Sequence, residues 1–509
     1  MTLKMNRRGF LNTAMAAGTL TFLGTAGLRA QEGGTLRFGL SAYPPSFDMW
    51  ASTGTAAGTV KLMIHRGLTS FDPEGALRGE LAESWEVDDA GVWTFKLRDA
   101  TFHDGKPVTA ADVKYTIEQV AAEDSTAFRR AQMASITSIE TPDDKTVILT
   151  TADPTAVVPE WFAHYHMPIL QEGAEATSMV GAGPFVFDSL ERGVSLRVTA
   201  FDGYYKDGEP KVDAIEVIVY SDENLRVAAL EAGDVDIIEY VPWAAMERIE
   251  ENDALTLDTV PGPFMYLTFN GTKAPFDNPL VRKAIGHAIK REDVVAAAFY
   301  GHGAPLAHLP LDESSPYYNE DLANGWEYDP EKAKALLAEA GYPDGFSCTM
   351  LSTAQYGMHQ STAEVAQAYL MMIGINVTLD LPDWSTRVQK GNEGQYDIAV
   401  MGTSADSNDP DGLTTVLDGS AKPSYVRSFG IETPEITEAL NKGRVTFAEA
   451  ERQAIYRGME EAAIEQSPCV FLCSRAQGYA MASNVTGFSN LPGQLTFYSG
   501  ISLEETALS

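Results

Sequence analysis

The sequence predicts an α/β protein of more than one lobe, on three observations. In residues 181–239, Val194, Leu196 and Val198 alternate with Ser195, Arg197 and Thr199 at the period of a strand. Ile215, Val217 and Val219 make another strand, and residues 224–232 form a helix pattern that Gly233-Asp234 closes. Residues 263–478 repeat the alternation, with helix patterns at 279–289, 329–340 and 361–373 and a short strand, Gly374 to Leu379, after the last. At 509 residues the chain also exceeds what one core usually serves, since domains run to ~100–200 residues.

Composition narrows the function. With 44% hydrophobic residues, core material is ample. The net charge of −34 argues against tracking a phosphate backbone and fits the solvated acidic surface of an exported protein. Residues 1–30 read as a twin-arginine export signal: Asn6-Arg7-Arg8-Gly9-Phe10-Leu11, a mild apolar run, then Leu28-Arg29-Ala30 before a cut. No other stretch approaches the ~18 consecutive apolar residues of a membrane span. Cys348, Cys469 and Cys473 are too few and odd in number for a disulfide framework and read as buried thiols.

Along the chain, residues 35–40 read as the first strand, and 41–48 as a loop set by Pro44 and Pro45. A helix pattern over 53–68 follows. Trp85 and Val87 form a strand, residues 88–91 a hairpin turn, and Trp93, Phe95 and Leu97 the returning strand. Thr109 caps a helix with Val113, Ile117 and Val120 on one face. The Gly181-Ala182-Gly183-Pro184 turn is read as needing backbone freedom at its glycines. Residues 181–239 must pair with an earlier strand. Pro261-Gly262-Pro263 reads as a linker where the chain crosses between lobes.

The run LAESWEVDDAGVWTFKLRDATFHDGKPVTAADV, from Leu81 to Val113, resembles the signature of bacterial extracellular solute-binding proteins of family 5, the peptide, nickel and oligopeptide class that serves ABC importers. Further matches follow in the family's order. They include Gly181 to Phe185, Tyr204-Tyr205, Ala229 to Asp236, Tyr266 to Asn270, Phe276 to Ile285 and Asp329 to Ala333. The resemblance runs from about Gly34 to the end. It implies a type II-like periplasmic binding protein with two lobes and a hinge. Lobe I would comprise 31–70, 180–262 and 479–509, a small inserted domain 71–179, and lobe II 263–478.

No catalytic motif is present: neither a Gly-x-Ser-x-Gly elbow, nor His-Glu-x-x-His, nor Cys-x-x-Cys, nor a phosphate loop. His164 and His166 flank Tyr165 without a second ligand pair, so no metal site is assigned. The resemblance instead places the site at Trp384 and at the loop from Thr403 and Ser404 to Asp409-Pro410. Asp406 matches the carboxylate that meets a peptide's α-amino group in the family's peptide binders. An ammonium taken out of water needs such a partner. Trp384 matches a cleft-lining Trp. Two departures stand out: Thr403 replaces the loop's Trp, and residues 353–360 lack the Arg that dipeptide binders use for the ligand carboxylate. Gln355, Tyr356 and His359 are the polar candidates there, while Tyr43, Trp50, Phe264 and Tyr266 are candidates for bordering the cleft.

The expected function is ligand capture by hinge closure for an ABC importer in the periplasm, by a monomer without cofactor that binds a peptide or amine-bearing solute and docks on a membrane permease. An oligosaccharide, a metal chelate, a secreted hydrolase and a second use at a chemoreceptor remain open.

Overall fold

The computed structural model describes residues 33–51, 54–313 and 315–509; the export signal read at residues 1–30 lies outside them. Strand β1 (Thr35–Leu40) leads into helix α1 (Thr55–Ile64). Next comes a four-stranded antiparallel unit of β2 (Ala82–Val87), β3 (Trp93–Leu97), β4 (Ile136–Asp143) and β5 (Thr146–Thr151), in the spatial order β2-β3-β5-β4. Helix α2 (Ala110–Ala121) shares its core, with Val113, Ile117 and Val120 beside Phe95, Leu97, Val147 and Leu149. Thr109 opens α2 as expected: its N–H and its hydroxyl each donate to Asp112 at 2.8 Å.

The chain then returns through β6 (Phe185–Glu191), β7 (Ser195–Ala200), β8 (Ala214–Val219), α3 (Glu223–Ala232) and β9 (Ile237–Glu239). Residues 181–239 find their partner in β1. Strand β8 lies parallel on one side of it, with Thr35 opposite Ala214 and Leu40 opposite Val219, and β9 lies parallel on the other. Asp222 caps α3 through the N–H groups of Asn224 and Leu225, and Gly233 ends it at φ 76°. The turn at Gly181 and Gly183 has a different cause from the one expected. A Cβ at these positions would come within 2.0 and 2.6 Å of the Ile64 carbonyl oxygen, so glycine serves close approach to the end of α1.

Among the elements that follow are β10 (Leu255–Phe269), α4 (Pro279–Ala288), α5 (Pro330–Glu339), β11 (Phe346–Leu351), α6 (Gly357–Met372), β12 (Ile375–Asp380), α7 (Trp384–Asn392), β13 (Ile398–Thr403), α8 (Pro434–Val445), α9 (Glu449–Gln466) and β14 (Cys469–Ala482). One large sheet runs β12-β11-β13-β10-β14-β9-β1-β8-β7-β6. Its centre is the antiparallel pair β10 and β14, from Leu255 opposite Ala482 to Thr268 opposite Cys469. Their register slips between Pro261 and Phe264, so the proline run read as a linker is built into a strand. Helix α6 starts before the pattern read from residue 361, because its polar first turn hides the period. All three cysteines are free and buried, with Cys469 and Cys473 in two different cores. Among the described residues no helix is long and apolar enough to cross a membrane.

A buried ion cluster ties α1, the strand Leu77–Gly79, Lys206 and the C-terminal segment together. Glu80 and Glu504 are fully buried. Arg66 lies 2.8 Å from Glu504, Arg78 3.1 Å, and Lys206 2.6 Å from Glu504 and 2.8 Å from Glu80. Tyr204 donates to Glu504 at 2.5 Å, and Tyr205 donates to Glu80. Burial opposes charge on both carboxyls, but the three cations outweigh it and hold them below the ordinary carboxylate value. Removing one member of such a group strands the others, at about 3–5 kcal/mol. Glu504→Gln should therefore lower the unfolding free energy extrapolated from urea denaturation by an amount in that range, with a matching fall in the midpoint. Because the folded pKa is the depressed one, the stabilisation is complete above ~4.3 and is lost as pH falls below it, which thermal unfolding between about pH 6 and 3 will register.

Candidate functional site

Strand β13 ends at Thr403 and delivers the loop that carries Asp406. Two side chains hold the loop: Ala405 N–H donates to Gln494 at 2.9 Å, and the Tyr498 hydroxyl donates to the Asp406 carbonyl at 3.0 Å. Asp409 is fully committed. It accepts from Asp411 N–H at 2.9 Å and takes a two-pronged bond from Arg452, at 2.5 and 2.8 Å, with both side chains over nine-tenths buried. Asp406 keeps 29% of its side chain exposed. Its one ion partner among the described residues is Arg129 of the four-stranded unit, at 3.3 Å.

That contact is part of a larger meeting. Ala156 N–H donates to the Arg444 carbonyl at 2.7 Å. Glu160, in the short helix Val158–Trp161, faces Asp409, Asp411, Arg452 and Ser407. Burial, then the Asp409 charge, push its acid well above the usual range. Between the two sides lies a cavity of about 1300 Å³ bordered by Arg129, Glu160, Trp161, Asp406, Ser407 and Arg444. Behind Arg129, Phe128 stacks on His164 at 4.8 Å and Tyr165 meets Tyr498 at 5.0 Å. His166 lies 2.9 Å from the Lys61 ammonium; burial first, then Lys61 and Arg129, keep its ring neutral.

A second group of predicted residues gathers around α7. Asp383 caps this helix through Thr386 N–H at 3.1 Å, which sets Trp384 at its first position. The indole meets Tyr356 at 5.3 Å, His359 at 5.5 Å and Tyr425 at 6.1 Å. The fully buried Arg387 guanidinium lies 5.3 Å from the Trp384 ring and 5.6 Å from Tyr425. His359 is buried, and desolvation followed by Arg387 and Arg475 pushes it down to about 3. Thr403 and Ser404 are half-buried at the end of β13, with the Thr403 hydroxyl 3.4 Å from the Ser404 carbonyl.

The structure therefore brings Trp384, Tyr356 and His359 together, and sets Asp406 at a separate meeting with Arg129. Four other candidates are placed elsewhere. Tyr43 packs edge-on against Phe47 at 6.2 Å, beside Leu190, Leu196 and Val219 of the first sheet half. Trp50 donates its indole N–H to the Pro168 carbonyl at 3.2 Å and belongs to the core of the four-stranded unit. Phe264 and Tyr266 are fully buried against Phe471, and the Tyr266 hydroxyl donates to the Val426 carbonyl at 2.5 Å. Two residues apart on one strand, they share a face, and that face is interior. Arg129, Glu160 and Arg475 were not singled out from sequence, because no local motif marks them.

The profile of bacterial extracellular solute-binding proteins, family 5, matches residues 76–425. The glutathione-binding protein GsiB of Pectobacterium atrosepticum is 30% identical, the match covering 90% of this chain and 92% of that protein. Among solved structures, the PBP AgaA of A. tumefaciens R10 in complex with agropinic acid is 42% identical with a TM-score of 0.81, covering 94% of this chain and 99% of its own. The periplasmic binding protein DppA of Helicobacter pylori, in complex with peptide STSA, is 25% identical with a TM-score of 0.76 and covers 94% of this chain and 98% of its own. The protein is a member of the bacterial extracellular solute-binding proteins of family 5, the substrate-binding components of ABC importers, and has their type II periplasmic-binding-protein fold.

Proposed function

We propose that this chain captures a peptide-like, amine-bearing solute in the periplasm by hinge closure and hands it to its permease. It works as a monomer without cofactor or enzymatic activity, exported through the twin-arginine signal of residues 1–30. In this reading the first lobe comprises 31–70, 180–262 and 479–509, the inserted domain 71–179 and the second lobe 263–478. The observation that carries the reading is Asp406. It is a carboxylate at the meeting of the two sides that is held by a single contact to one of its oxygens, whereas Asp409 beside it is locked by Arg452. Arg129 contacts one oxygen of Asp406, at 3.3 Å, so a ligand ammonium can donate to the other oxygen while the buried guanidinium keeps its counter-charge. Relatives named for glutathione and solved with agropinic acid or a peptide support a small polar solute.

Native mass spectrometry of the protein as purified should show a bound small molecule released intact, whereas a product of altered mass would point to a hydrolase. Asp406→Ala should weaken binding of that solute more than tenfold by calorimetry, with Arg129→Ala losing clearly less. Equal losses would reduce Asp406 to a latch between the two sides. Glu160 gives a pH dependence of known sign. Closure that raises its pKa takes up a proton, so closure and binding weaken as pH rises above the ordinary carboxylate range. Glu160→Gln should bind severalfold tighter than wild type at about pH 8, the two converging as the pH falls toward 4.

A further inference from the structure

We propose that Arg475, with the Tyr240 hydroxyl and the uncapped first turn of α6, forms a carboxylate subsite at the lobe crossing, so that the transported solute is an acid as well as an amine. The inference rests on the reading above and adds the second half of the ligand's chemistry.

Arg475 is 6% exposed, and no carboxylate among the described residues forms an ion pair with it. Its Nη1 donates to the Tyr240 hydroxyl at 2.9 Å and lies 3.5 Å from the Met358 sulfur, while Nε makes no hydrogen bond. The Tyr240 and Trp243 rings, at 5.9 and 5.7 Å, hold the guanidinium in place. A buried cation without a counter-ion is costly, and an arriving anion removes that cost. Guanidinium is also the group whose fork fits a carboxylate.

Three further observations aim this cation at a ligand. Met358 lies in the first turn of the sixteen-residue helix α6, whose N-cap Tyr356 makes no side-chain cap, and its sulfur reaches the guanidinium from that uncapped turn. The buried His359 beside it has an unpartnered Nδ1. Tyr240 is held at φ +53°, a left-handed conformation rare for a bulky residue, which keeps its hydroxyl on Arg475. Tyr240, Tyr356 and Met358 retain exposure at the mouth of this group.

Position gives the subsite its use. In β14, Arg475 lies between Ser474 and Ala476, which pair with Phe264 and Pro261 where the register of β10 slips. Tyr240 follows β9 in the first part of the sheet, and Met358 belongs to the 263–478 segment. An anion held there touches both sides at once. The cation missing from residues 353–360 is thus supplied from a strand more than a hundred residues later.

The test uses the full chain. Agropinic acid, glutathione, the tetrapeptide Ser-Thr-Ser-Ala and its C-terminal amide are titrated into wild type, Arg475→Gln and Arg475→Lys, with circular dichroism checking the fold. The acids that bind wild type should lose at least about thirtyfold in Arg475→Gln and recover part of it in Arg475→Lys, and the amide should bind wild type far more weakly than the free tetrapeptide. Unchanged affinity in Arg475→Gln, or equal binding of acid and amide, overturns the subsite and leaves Asp406 standing. A succinate titration at constant ionic strength, read by tryptophan fluorescence, tests the subsite without the larger ligands. A saturable response in wild type that is absent from Arg475→Gln supports it even if no larger ligand binds, which would fail the solute class alone; no response in either overturns it.

Discussion

The structure depends on the pairing of β10 with β14. Each strand runs the length of the molecule's centre, so one ladder of hydrogen bonds belongs to both halves of the sheet. A sheet continuous through a crossing resists sliding, yet it bends where the ladder is interrupted. The interruptions lie at Pro261 to Phe264, where proline removes a donor and the register slips, and at Met265 to Tyr266 just beyond. Bending of the sheet at this crossing is thus favoured at a few residues, and Arg475 lies beside them.

Two polar systems divide the labour. The buried cluster of Arg66, Arg78, Lys206, Glu80 and Glu504 locks one side into a single piece, its charges too deeply buried to exchange partners cheaply. The contacts between the sides are the opposite kind. Arg129–Asp406 is long and partly exposed, and Glu160 faces carboxylates that resist its charge. A binding protein needs this contrast, since it must be rigid within each lobe and nearly indifferent between open and closed until ligand tips the balance.

Local structure was legible in the sequence because its causes are local. The Thr109 cap and the strands at 35–40 and 93–97 follow from spacing alone. Asp406 could be singled out as a candidate because the family's short motif surrounds it. The aromatics were not: Phe264 and Tyr266 flank the crossing, but which face of β10 they take is decided by the sheet. Arg129 reaches Asp406 across 277 residues and Arg475 reaches Met358 across 117, so neither pairing leaves a local pattern. The close approach at Gly181 and Gly183 likewise needed the end of α1 to be in place.

The two cysteines of β14 bear on how this chain matures. Cys469 and Cys473 are four residues apart on a strand, yet they enter different cores on either side of a register irregularity. Burial pushes both thiols up, so the reactive thiolate is scarce. No disulfide can join them without unmaking the central strand pair. Folding therefore owes nothing to an oxidant, and the finished fold is indifferent to the redox state of the compartment in which it is assembled.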